Sequence, residues 1–227
     1  MKRNAARLAV GVLVGLLTPE AASATVIGLP AGTGLGTVGM ADPNFQLVSA
    51  PLLSDEQKDL GAVIIDPALV PVQWGLAVPP ARWIGVIDAD ARTTPGTLSD
   101  PWSNDWAYAY VYRTEFDIVG SPIGTRIEGM FAADNEARIW VNGVYSGFQT
   151  AGFVRSPFLL TEDFVSGLNV IDFHVINWQG QPGQSYGNPT GLLVEQLAES
   201  PSSPVPEPGT LLLLTVGLGT LALRRRR

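Results

Sequence analysis

Few residues in this chain are equipped for covalent or metal chemistry. His174 is the only histidine, and cysteine is absent. Thiolate sites, disulfides and cysteine nucleophiles are therefore excluded, and one imidazole is too few for a typical zinc site. A serine triad is not expected, because no G-x-S-x-G elbow is read and no serine is placed in a strand-to-helix turn that would expose it. His174 is read as an outward-facing strand residue. Asp88 with Asp90, or Glu162 with Asp163, are the right groups for glycosidic acid–base work. Nineteen Asp and Glu between residues 25 and 204 make such neighbours a matter of composition. The ~5–10 Å separation that this chemistry needs is also not a property of sequence. These acids are read as solvated loop residues, so neither enzyme activity nor a cofactor is expected. Calcium at Asp42, Asp88 or Asp90 would have to use loop carboxylates without the spacing of an EF-hand.

The aromatic residues offer a better lead. Trp102, Trp106, Trp140, Trp178 and Tyr186 lie near amides and carboxylates: Asn188 beside Tyr186, Asn177 beside Trp178, and Asp100 and Asn104 around Trp102. Sugar rings stack on aromatic faces while neighbouring Asn and Asp groups bond their hydroxyls. Trp102, Trp140, Trp178, Tyr186 and Asn188 are the candidate ligand-binding residues. The competing reading for any one tryptophan is burial in the core.

The elements that would carry them are strands. Short apolar-alternating segments separated by Gly, Pro, Asn and Asp recur, and no helix of several turns is apparent. Strands are expected at residues 107–119, 126–132, 137–141, 168–176 and 191–197. Asn142-Gly143 reads as a two-residue hairpin turn, and Asp134-Asn135 as a turn with left-handed backbone. In the first strand Trp106, Tyr108, Tyr110, Tyr112, Phe116 and Ile118 share the core face, opposite Arg113, Glu115 and Asp117. Ile171, Phe173 and Val175 oppose Asp172 and His174, and Ile139 and Val141 oppose Arg138 and Trp140. One dry and one wet face per strand predicts two packed sheets, an all-β sandwich or jelly roll.

Both ends of the chain differ from this body. Lys2, Arg3 and Arg7 precede an apolar stretch at residues 8–17, and Ala22-Ser23-Ala24 offers a small-residue cleavage site before Thr25. Residues 1–24 thus read as a secretory signal that engages the Sec translocon and a signal peptidase. Residues 25–41, rich in Gly, Thr and Ala, are expected to be a flexible lead-in to a domain at 42–199. Between residues 25 and 204, seven Lys and Arg face nineteen Asp and Glu, a net charge of −12. That charge argues against nucleic acid as a partner. At the other end, a Ser/Pro linker (200–204) leads to Val205-Pro206-Glu207-Pro208, an apolar run at 209–223 and four arginines at 224–227. Fifteen residues make a helix of ~22 Å, short of the ~30 Å hydrocarbon core. The arginines should remain cytoplasmic, leaving the body outside and tethered to the inner membrane until it is processed.

Proline motif, apolar helix and arginine cluster in this order resemble the PEP-CTERM sorting signal of Gram-negative bacteria. The resemblance implies export and recognition by an exosortase, a membrane protease/transpeptidase, in cells that make extracellular polysaccharide. It further implies a destination at the cell surface or in the extracellular matrix. The body also resembles galactose-binding-type jelly rolls found upstream of such signals. The matching stretches are Arg82-Trp83-Ile84, Tyr112 to Ile118, Ala133-Asp134-Asn135, Val141-Asn142-Gly143, Gly167-Leu168-Asn169 and Asn188 to Leu192. Enlarged loops at residues 88–104 and 179–187 depart from that pattern and would crowd one end of the sandwich. Such bodies have no agreed activity. The expectation is a surface or matrix protein with a weak carbohydrate-binding face, or a purely structural or adhesive one, with a carbohydrate-active enzyme ranked last.

Overall fold

The computed structural model describes residues 24–51, 53–58, 61–87, 106–178 and 189–200. Among these, eleven strands form two antiparallel sheets: β1 (Thr25–Ile27), β2 (Gln46–Ser49), β3 (Val63–Ile64), β4 (Ile84–Gly85), β5 (Tyr110–Val119), β6 (Ile127–Asp134), β7 (Glu136–Val141), β8 (Val144–Ala151), β9 (Ser156–Leu160), β10 (Gly167–Ile176) and β11 (Gly191–Glu199). The six-stranded sheet runs β1-β5-β10-β7-β8, with β2 also paired to β5; the five-stranded sheet runs β3-β4-β11-β6-β9. This is a β-sandwich, as the alternation predicts. The one α-helix among the described residues is a single turn, Asp55–Lys58.

The core lies between the sheets. Tyr110, Tyr112, Phe116 and Ile118 of β5, Ile171, Phe173 and Val175 of β10, and Ile139 and Val141 of β7 face Ile84, Ile127, Phe131, Phe158, Leu192 and Val194 of the second sheet. Phe131, Phe158 and Phe173 meet pairwise at 5.6–6.3 Å, two of the three contacts edge-on, the arrangement that ring quadrupoles favour.

The motifs of the resemblance build this frame. Asn142 and Gly143 both have positive φ (48° and 83°), as a twist-matched hairpin turn requires. Asn169, fully buried, accepts hydrogen bonds from the Asn142 amide (2.9 Å) and Val165 N–H, and donates to the Val165 and Gly167 carbonyls. Asn142 in turn accepts from Val170 N–H. The N-G turn and the G-x-N strand start therefore clasp each other. Gly191 is needed because the Trp74 indole lies directly over it: a Cβ there would stand 2.8 Å from the ring.

Three expectations change. Residues 25–41 are not a loose lead-in. β1 pairs with β5, Gly32 bridges Glu195 and Ala41 bridges Val63, while buried Thr33 bonds the Arg82 carbonyl and Val194. Backbone pairing needs no hydrophobic period, which is why composition misleads here. Trp106 and Tyr108 are not on the core face, because residues 106–108 form a 3-10 turn before β5 begins at Tyr110. Asp134 and Asn135 do not take left-handed backbone; the peptide between them is cis.

Candidate functional site

The two sheets treat their outer faces differently. On the five-stranded sheet, Ile65, Trp83, Ala132 and Leu193 point outward but are covered by residues 66–81, which carry Trp74. Trp74 and Trp83 pack at 4.4 Å, both almost fully buried. The Trp74 indole N–H donates to the Asp134 carboxylate at 2.7 Å. Burial pushes Asp134 up to about 6 although the indole bond opposes it. The cover is tied down by Glu195, which accepts from Val78 N–H and pairs with Arg155 at 2.7 Å, while Arg155 also donates to the Leu76 carbonyl. An apolar recess of about 440 Å³ remains between Pro67, Leu76, Pro79, Pro80 and Trp83. The neighbouring guanidinium of Arg82 is committed to the Gly34 and Gly36 carbonyls.

The outer face of the six-stranded sheet has no such cover among the described residues. Register places Gln46, Arg113, Asp172, Trp140 and Tyr145 in one row across five strands. Beside it runs a second row of Val111, His174, Arg138 and Gln149. Arg113 grips Asp172 with two 2.8 Å bonds, which raises the guanidinium's already high pKa and neutralises that carboxylate. Trp140 is the hub of the aromatic group: His174 stacks on it at 3.9 Å, Tyr145 lies at 5.1 Å and Trp106 at 6.2 Å. Burial lowers the pKa of His174 against the pull of Asp172, so the imidazole stacks as a neutral ring near pH 7. The Arg138 guanidinium sits 4.1 Å from the Trp106 ring and 5.6 Å from Tyr145. Trp178 joins Trp106 over Ala109 and Ile176, and its backbone N–H donates to the Asn135 side chain at 2.6 Å.

Local structure explains the layout. The Asn142-Gly143 hairpin sets Trp140 opposite Tyr145. An irregularity then puts Arg138 opposite Gln149, with Gly147 at φ 85° inside it and the Ser146 hydroxyl donating to the Ile139 carbonyl. Phe148 is thereby turned to the core and Tyr145 left 41 % exposed on the outer face.

Of the candidates from sequence, Trp140 and Trp178 lie on this outer side and are brought together through Trp106. Trp102, Tyr186 and Asn188 lie outside the described residues. Arg138, Tyr145 and His174 are absent from the candidates that sequence reasoning picks out. Their signal lies in the parity of β7 and β10 and in the hairpin register.

A correction concerns the serine elbow. Gly183, Gln184, Ser185, Tyr186 and Gly187 do spell G-x-S-x-G. The pattern lies outside the described residues, between β10 and β11 in the sequence. Among the described residues no group of three or more His, Asp and Glu could hold a metal ion. Asp42 spends its carboxylate on the Gly34, Asn44 and Phe45 N–H groups. Asp88 and Asp90 lie outside the described residues, as do Ala22 and the rest of residues 1–23. Ala24 packs against the core and Thr25 opens β1 opposite Val119.

Comparison with known proteins bears mainly on the end of the chain. Residues 204–227 match the PEP-CTERM protein-sorting motif. The chain ends in an exosortase sorting signal. It is thus an exported protein, held in the membrane by its C-terminus until an exosortase processes it. Val205, Pro206, Glu207, Pro208, the apolar run 209–223 and Arg224 to Arg227 lie outside the described residues. No helix among the described residues is long and apolar enough to cross a membrane. No curated protein matches the chain. Solved structures that overlay part of it include the secreted serine protease VesC from Vibrio cholerae (11 % identity, TM-score 0.34, 57 % of this chain and 23 % of that one). A point mutant of the family 29 carbohydrate-binding module CBM29-2 overlays 56 % of this chain and 80 % of its own at 13 % identity and TM-score 0.31. Bifidobacterium dentium β-glucuronidase overlays 77 % of this chain and 30 % of its own at 18 % identity and TM-score 0.31. The chain thus spans less than a quarter of the protease.

Proposed function

We propose that the sandwich is a non-enzymatic carbohydrate-binding domain, delivered by exosortase sorting to the cell surface or extracellular matrix, where it engages extracellular polysaccharide. The observation that carries this reading is the outer face of the six-stranded sheet. Trp106, Trp140, Tyr145 and Trp178 are left half-exposed beside Arg113, Asp172 and Arg138, the mixture of ring faces and fixed polar groups that sugars need. On the opposite face, where two tryptophans are sealed, the remaining recess is apolar and its nearby arginine is spent on carbonyls. A glycan array probed with the full chain in detergent tests the reading, with Trp140→Ala alongside. Glycan signal that falls at least tenfold in the variant supports it; no signal from either protein sinks it. A structural or adhesive role then becomes the better reading, because Val72 and Leu76 (96 % and 85 % exposed) form an apolar rim suited to another protein. For the sorting step, Glu207→Ala should leave membrane insertion intact and stop maturation, read as a size shift on a blot in a host carrying an exosortase.

A further inference from the structure

The charge arrangement on this face narrows the ligand. Of the described arginines, Arg113 and Arg155 are committed to carboxylates and Arg82 to carbonyls, and Arg126 lies on the other sheet, just before β6. Arg138 is different: it lies on the outer face, half-exposed, between Trp106 and Tyr145. Its Nε is buried with no hydrogen-bond partner, and the Nε1 of Trp106, in the ring beneath it, is equally without one. Two donors and one positive charge therefore converge with no acceptor, in a place where leaving a donor orphaned is costly.

A guanidinium set over an aromatic ring, with its Nε buried, keeps its terminal Nη N–H groups for an anion. The partner best matched to a planar fork is a planar carboxylate. Resting on the carbohydrate-binding reading, we infer that the ligand is an acidic polysaccharide, whose uronate carboxylate is taken by Arg138 while its ring stacks in the Trp106–Trp140–Tyr145 group. Asp172 does not repel it, because Arg113 neutralises that acid on the same face. The body's charge of −12 repels polyanions at long range. Selectivity must therefore come from this short-range contact, and a polyanion without a stackable carboxylated sugar gains nothing.

The test uses the full chain in detergent micelles and isothermal titration with two probes, tetragalacturonate and the neutral galactotetraose of equal length. The wild type should bind galacturonate roughly tenfold or more tightly than the neutral sugar, the worth of one hydrogen-bonded charge contact. Arg138→Gln should bring that ratio to about one, and Arg138→Lys should recover part of it, since charge survives and the fork is lost. Equal wild-type affinity for the two probes, or a preference unchanged in Arg138→Gln, overturns the inference while leaving carbohydrate binding standing. Binding of neither probe, with an empty glycan array, overturns both. The wild-type ratio decides the matter even if the variants fold poorly.

Discussion

The same residue type serves opposite ends on the two outer faces of this sandwich. Trp74 and Trp83 lie under a folded-over segment, nearly sealed, with indole N–H groups bonded to the Asp134 carboxylate and, at 3.4 Å, to the Gly75 carbonyl. Trp106, Trp140 and Trp178 stand half-exposed on the other side, ringed by charges, and the Trp106 N–H has no partner. A tryptophan capped by chain and satisfied in its hydrogen bonds is holding a fold together. One left open among arginines and a stacked histidine is available to a ligand. The distinction rests on what covers each ring.

The largest expected difference between the faces is in stability. Trp83→Ala should cost about 3–5 kcal/mol, since it empties a packed site under the cover, measured by urea unfolding. Trp140→Ala removes a half-exposed ring and should cost about 1 kcal/mol or less, yet lose most glycan affinity. If the two variants were equally destabilised, the open face would be structural and the comparison would collapse.

Next in size is a pH effect confined to the covered face. Asp134 is pushed up to about 6 from an ordinary value near 4, so the folded state prefers its protonated form. That contribution is fully present below about pH 4 and is lost as pH rises through about 6, on the order of 2–3 kcal/mol. Asp134→Asn, neutral throughout, should flatten the stability profile between pH 4 and 6. It should leave glycan binding at fixed pH unchanged, because Trp74 and Asp134 lie on the far sheet. A wild-type profile as flat as the variant's would contradict the burial argument.

The smallest expected effect sharpens the open face from within. Tyr145→Phe keeps the ring beside Trp140 and Arg138 and removes only an exposed hydroxyl. Stability should change by less than about 0.5 kcal/mol and glycan affinity by less than threefold, read by titration calorimetry. A tenfold loss would mean that the hydroxyl, and not the ring face, makes the contact.

Much of this architecture is legible without coordinates. The alternation in β5, β7 and β10 yields strand, face and core correctly, because those strands have one dry side and a strict period of two. Arg138 and Trp140 fall on the outward side for the same reason. Other parts are not readable. β8 carries an irregularity around Gly147, and β9 contains Pro157, so neither shows a clean alternation. The alternation of aromatics runs past the true start of β5, and so points Trp106 into the core where a 3-10 turn lifts it outside. Which tryptophans are sealed depends on residues 66–81 folding over a sheet completed more than a hundred residues later by β11. No local pattern encodes that.

The difference between the faces can be measured most directly by hydroxyl-radical footprinting with mass spectrometry, on the full chain with and without a polysaccharide that it binds. Trp106, Trp140, Tyr145 and Trp178 should be oxidised in the free protein and protected by the ligand. Trp74 and Trp83 should resist oxidation in both states. Protection falling on Val72 and Leu76 instead, with Trp140 unchanged, would contradict the account.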